Sequence, residues 1–149
     1  RSHDLSRIKM GDYIRTLTGH LFRSYGVDPN LISLELNVDD VEFDIDTGLT
    51  CGLIIDELVS NCLKHAFIDD SGGTVHIDLL DHVDGTFTLC VSDNGIGIPK
   101  DGVLNNPDSL GLELVTLLAE KLDGSTELRS GAGTEWQIRF QQLQYSERV

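Results

Sequence analysis

Apolar residues recur along this chain with two periods, and the switches between them predict its elements. Over 11–25, Tyr13, Ile14, Leu17, Leu21 and Phe22 fall at helical spacing, and Gly26 follows as a stop. After Asp28-Pro29-Asn30 the period drops to two. Ile32, Leu34 and Leu36 alternate with polar residues over 31–37, as do Val41, Phe43 and Ile45 over 41–45, and Asp39-Asp40 between them predicts a hairpin. Residues 47–66 return to the helical period, ended by Phe67 and the turn cluster Asp69-Asp70-Ser71-Gly72-Gly73. A second hairpin is expected from 74–80 (Val75, Ile77 and Leu79 in phase) and 86–93 (Phe87, Leu89 and Val91), joined at Val83-Asp84-Gly85. From Asn94 to Ser109 the chain is rich in Gly, Asn, Asp and Pro without periodicity, which predicts a lid or binding loop. A third helix is expected over 110–122, with Leu114, Val115 and Leu118 inward and Asp123-Gly124 as its stop. Strands at 125–130 and 134–140, joined by Gly131-Ala132-Gly133, complete the chain.

Helices that fall between hairpins predict an α+β fold. The expected form is a two-layer α/β sandwich, a mixed and mostly antiparallel sheet with three helices on one face. At 149 residues the chain suits one domain, and it carries no internal repeat. No apolar run approaches the about eighteen residues that would suggest a membrane span. The chain does not begin with Met, so Arg1 is expected to lie inside a longer protein. Cys51, Cys62 and Cys90 form no CxxC pair and predict reduced core thiols, with Cys51 and Cys62 on one helix face. A net charge of −14 argues against a nucleic-acid backbone as partner. It is compatible with a nucleotide, whose phosphates are held by main-chain N–H groups and screened by magnesium, and equally with a merely solvated surface.

The chemistry concentrates in the middle helix. Projected at 100° per residue, Ile55, Leu58, Val59, Cys62, Leu63 and Ala66 fall on one side, and Asp56, Glu57, Ser60, Asn61, Lys64 and His65 on the other. A solvated polar face would look the same. Leu53 and Ile54, however, project into the polar arc, as expected of a helix buried on both sides, and Asn61 is a poor mid-helix former. Glu57, Asn61, Lys64 and His65 converge on one patch that suits a magnesium-phosphate group. The amide oxygen of Asn61 would ligate the metal, the Lys64 ammonium would neutralise phosphate, and Glu57 would accept a proton or orient water.

Asp93 continues the inward phase of Phe87, Leu89 and Val91, so its carboxylate needs a donor, and a ligand's exocyclic amine would serve. A tight turn begun with Asn94-Gly95 is the other reading. In DNGIGIP, Gly95 and Gly97 allow close backbone approach while Ile96 and Ile98 offer apolar walls, together describing an adenine slot. Ser109-Leu110-Gly111-Leu112 opens a helix whose free N–H groups can receive phosphate. Thr134 is in phase with Trp136, Ile138 and Phe140 and would bond a purine edge, or would simply belong to a hairpin with an apolar face.

In order and spacing, ELVSNCLKHAF, DNGIGIP, SLGLELV and GAGTEWQIRF resemble the N box and three glycine-rich boxes of the GHKL (Bergerat-fold) ATPase superfamily. The best match is the catalytic ATP-binding domain of a sensor histidine kinase of the second, short-lid subfamily. The resemblance covers roughly 30–142. It implies that residues 1–10 end a linker from a dimerisation and phosphoacceptor domain, that 11–142 form the ATP-binding domain, and that 143–149 are a tail. It implies ATP and Mg2+ as cofactors, with Asn61 on the metal and Glu57 as base or polarising acid. Lys64 and His65 would touch phosphate or ribose, Asp93 the adenine amine, and Gly95, Gly97, Ile98 and Thr134 would surround the base. Leu110, Gly111 and Leu112 would meet phosphate under the lid.

The implied reaction is γ-phosphoryl transfer to a histidine on a separate helical domain, with a response regulator as partner, in the cytoplasm and without membrane contact by this chain. Pro107 and Ser109 stand where the family has glycines, and Lys100 is the loop's only basic residue, so the lid offers phosphate little. Ser2-His3-Asp4-Leu5 looks like a phosphoacceptor box, but too few residues lie between His3 and Asn61 for a helical hairpin. The acceptor is therefore expected upstream of Arg1. Alternatives are a serine kinase of the anti-sigma type, a stand-alone ATPase, and a non-catalytic signalling module.

Overall fold

A computed structural model describes residues 7–67, 72–95 and 109–142. Strand β1 (Arg7–Lys9) leads into helix α1 (Met10–Ser24), followed by β2 (Ile32–Val38), β3 (Glu42–Asp44) and α2 (Ile45–Asn61), which continues as a π turn over Cys62–Ala66. Then come β4 (Gly73–Asp81), β5 (Thr86–Asp93), α3 (Ser109–Lys121), β6 (Ser125–Ser130) and β7 (Thr134–Gln141). The main sheet has the order β2-β4-β5-β7-β6, and β1 and β3 form a separate antiparallel pair. The expected α+β sandwich with a mixed, mostly antiparallel sheet is what forms: β2 pairs β4 in parallel, and every other pair in the main sheet is antiparallel. Similarly, Val75, Ile77, Leu79, Leu89 and Ile138, all in the predicted phase, are buried against the helical layer with Ile14, Ile54, Ile55, Leu58 and Val115.

The predicted hairpin between 31–37 and 41–45 does not form. Asp39 does not turn the chain back on β2. Its N–H bonds the Leu79 carbonyl and its carboxylate accepts the Asp81 N–H, so it extends the edge pairing with β4. The chain then drops into the second layer. Val41 accepts from the Met10 N–H, and the Phe43 ring meets Phe87 and Phe140 edge-on at centroid distances of 4.9 and 5.8 Å. Burying Phe43 completely against two rings outweighs an extra edge strand. Ile45, expected at the end of that strand, is instead the first residue of α2 and is 43% exposed.

Asp44 ends β3 and caps α2, its carboxylate accepting the Thr47 N–H at 2.9 Å. Asp44→Ala is expected to lower stability by about 1 kcal/mol, seen as a lower midpoint in thermal denaturation, with no change in nucleotide affinity. Within α2, Gly48 lies against Ile8 and Gly52 against the Tyr13 ring, so two side-chain-free positions one turn apart let β1 and α1 close on this helix. Two inward expectations are corrected. Leu53 is 52% exposed although Ile54 is fully buried, and Leu114 is 39% exposed, leaving Val115, Ala119 and Leu122 to carry the contact of α3. The three cysteines are free and buried, as expected. Desolvation holds the Cys51 thiol at about 12.

Candidate functional site

Two elements that end at the same place build the site. Strand β5 is central in the sheet and stops at Asp93, which lies opposite Val75 of β4 and Thr134 of β7. The inward phase read from the sequence holds: Asp93 is 8% exposed. Its Oδ1 accepts the Gly95 N–H at 2.8 Å, and its Oδ2 accepts the Cys62 thiol at 3.2 Å. Thus the turn role and the inward role are both real. Among the described residues no lysine or arginine pairs with this carboxylate, so beside the Gly95 N–H and the Cys62 thiol it keeps lone pairs for a further donor.

Helix α2 reaches the site with Asn61, whose Nδ2 is buried and has no hydrogen-bond partner among the described residues. An orphaned buried amide costs about 1–3 kcal/mol unless a ligand completes it, and a half-turn of the amide presents the oxygen in its place. One turn earlier Glu57 is half-buried and lies against the first turn of α3. A Cβ on Gly111 would come within 2.5 Å of Glu57 Oε2. That first turn carries no acid of its own, so the Glu57 carboxylate takes the place beside its positive end.

Beyond Asn61 the backbone widens into the π turn of Cys62–Ala66, a form that recurs at functional sites. Lys64 and His65 sit on it, exposed, at the rim. Cys62 opens the turn and is 7% exposed. Burial, then the charge of Asp93 and the hydrogen bond to it, push its thiol well above the usual range, so it remains a donor.

The structure therefore brings Asp93, Gly95 and Thr134 together at one strand end, and Glu57 and Gly111 together across two helices. Leu112 is placed differently: its side chain belongs to the core at 9% exposure, leaving only its backbone for a ligand. Leu110 lies in the first turn of α3, its side chain beyond the described set. Gly97 and Ile98 fall outside the described residues, as do Lys100, Pro107 and the Ser2-His3-Asp4-Leu5 segment.

Two residues of the site were missed in the sequence. Cys62 was assigned only to the apolar face, although a thiol beside Asn61 and an inward carboxylate in need of a donor were both visible. Gly133 was read as a turn residue, yet a Cβ there would overlap the Asp93 carbonyl oxygen and lie 2.9 Å from the Asn94 Cα.

Magnesium can be tested against this donor set. Among the described residues no group of three or more His, Cys, Asp or Glu could hold a metal. Mg2+ bound with a nucleotide takes most of its oxygens from phosphate and water, one amide or carboxylate sufficing from the protein. The residues present fit that mode, through Asn61 with Glu57 nearby.

Fold and site together define a nucleotide-binding α+β sandwich. The chain belongs to the family of histidine kinase-, DNA gyrase B- and HSP90-like ATPases, whose profile matches residues 48–144. It is thus an ATP-binding domain. Blue-light-activated histidine kinase 2 of Erythrobacter litoralis is 31% identical over 104 residues, covering 69% of this chain and 30% of that protein. The sensor histidine kinase PdtaS of Mycobacterium tuberculosis is 35% identical over 100 residues, covering 64% of this chain and 20% of that protein. The chain spans less than a third of these curated relatives. Among solved structures, the histidine kinase domain of a blue-light activated histidine kinase from Erythrobacter litoralis superposes with a TM-score of 0.81 at 26% identity, covering 91% of this chain and 62% of that one. The mycobacterial sensor histidine kinase MprB shares the fold, with a TM-score of 0.72 at 19% identity over 91% of this chain and 97% of that one.

Proposed function

We propose that this chain is the ATP-holding catalytic domain of a sensor histidine kinase. It positions Mg-ATP for γ-phosphoryl transfer to a histidine on a separate helical domain of the same protein, from which a response regulator receives the group. The observation that carries this reading is the buried carboxylate of Asp93, without a cation among the described residues, at the end of a central strand. The kinase names of the relatives support it. Such a carboxylate reads an amine, and the exocyclic amine of adenine separates ATP from GTP.

Asn61 holds the metal through its amide oxygen, and Mg2+ supplies charge neutralisation on the phosphates. Lys64 adds a mobile positive charge at the rim, with His65 beside it on phosphate or ribose. Glu57, seated against α3, polarises the acceptor or takes its proton. Gly95 and Thr134 would border the base, with Gly97 and Ile98 joining them as the family resemblance implies, and the backbone of Leu110, Gly111 and Leu112 would meet phosphate. Most of the rate comes from this positioning and neutralisation, as phosphoryl transfer requires. No helix among the described residues is long and apolar enough to cross a membrane. A domain that consumes ATP would work in the cytoplasm.

Asp93→Ala tests the reading by titration calorimetry with ATP and GTP. Affinity for ATP is expected to fall about 10- to 100-fold, the worth of a hydrogen bond to a charged acceptor, and the preference over GTP to disappear. An unchanged preference refutes the adenine role.

A further inference from the structure

Each oxygen of Asp93 is already in contact with a donor, and the two donors come from different elements. The Gly95 N–H belongs to the turn leaving β5, whereas the Cys62 thiol reaches across from the end of α2, 31 residues away in sequence. Cys62 directly follows Asn61, whose buried amide nitrogen lacks a partner among the described residues. The thiol-carboxylate bond therefore links the helix that ends in the orphaned amide to the strand that ends in the buried acid. A carboxylate's terminal torsion is broad and roughly two-fold, so one donor leaves it free to swing. A second donor on the other oxygen fixes the plane.

We propose that Cys62 is a positioning residue for nucleotide recognition: its thiol sets the rotation of the Asp93 carboxylate so that Oδ2 keeps a lone pair directed to the amine of adenine. The inference rests on the adenine role of Asp93 proposed above. A thiol suits the task because it is a weak donor. It orients Oδ2 without consuming the acceptor strength that a ligand amine needs, and an ionised carboxylate has about four lone-pair sites, enough for both. An apolar residue at this position would leave Oδ2 buried with one partner fewer. Serine keeps a donor in nearly the same volume and is the conservative replacement.

The test compares dissociation constants for ATP and inosine triphosphate, which has a carbonyl in place of the exocyclic amine, with melting temperature as a control for folding. Cys62→Ala is expected to weaken ATP about fivefold and to lower the ATP-over-inosine ratio by the same factor, with inosine triphosphate affinity unchanged. Cys62→Ser is expected to restore the ratio to within about twofold of the parent. If Cys62→Ala does not fold, Cys62→Val takes its place, since it fills the volume without a donor. An alanine or valine variant that keeps the full ratio overturns the proposal, as does a serine variant no better than alanine. Asp93→Ala separates the two failures. A ratio lost in Asp93→Ala but kept without the thiol removes Cys62 alone, whereas a ratio kept in Asp93→Ala removes the adenine reading and this inference with it.

Discussion

Asn61→Ala is expected to lose the magnesium-dependent part of its ATP affinity and to reduce phosphoryl transfer roughly a hundred- to a thousandfold, the usual cost of removing one preorganised polar group from a reacting centre. The variant should fold at least as well as the parent. It removes an amide whose nitrogen is buried without a partner among the described residues, and relief of that orphan offsets the small cavity left behind. Calorimetry with Mg-ATP and with ATP in a chelator reads the first effect, and phosphate incorporation with the acceptor domain present reads the second. Equal magnesium dependence in parent and variant would remove Asn61 from the metal. A large functional loss without a stability loss is what separates a binding group from a packing group.

The second large effect is steric. Gly133→Ala places a methyl on the Asp93 carbonyl oxygen and 2.9 Å from the Asn94 Cα, so β5 and β7 must part where the carboxylate is held. Overpacking against backbone costs about 1–3 kcal/mol because no side chain is there to yield. The melting temperature is expected to fall by several degrees and ATP affinity by more than about tenfold, since Asp93 moves with its strand. Gly131→Ala is the internal control: it lies in the same turn but has open space around its Cβ position, and should change neither. Matching losses in both variants would assign the effect to turn flexibility rather than to the contact with Asp93.

How much of this was legible in the sequence depends on the range of the signal. Asp93 was found because the alternation of β5 is local and strict, and a carboxylate in the inward phase is conspicuous. The two hairpins β4–β5 and β6–β7 were legible for the same reason, their turns lying within a few residues of the strands they join. By contrast, β1 and β3 have three residues each, too few to show a period, and β2 alternates like any half-buried strand without naming its partner. The burial of Phe43 against Phe87 and Phe140 draws β3 away from β2, and those contacts join residues far apart in sequence. The π turn is another such case. Projecting CLKHA at a uniform 100° puts Cys62 on the apolar face, and nothing in its composition announces that the helix widens there and turns a core thiol toward Asp93. Leu53 and Leu114 fit an apolar phase yet stay open, because phase gives a direction and not what stands in that direction.

Asp44 is at once the last residue of β3 and the cap of α2, so no loop intervenes between the small sheet and the helix that carries Glu57 and Asn61. In mechanical terms α2 is a rod clamped at its foot. Its 17 residues span about 25 Å, and its far end, joined to β5 through the contact of Cys62 with Asp93, carries Asn61. A loop at the foot would absorb a load; a direct junction transmits it. Since β1 is hydrogen-bonded along β3, Arg7–Lys9 is joined to the foot of that rod through paired backbone alone, with no slack between them.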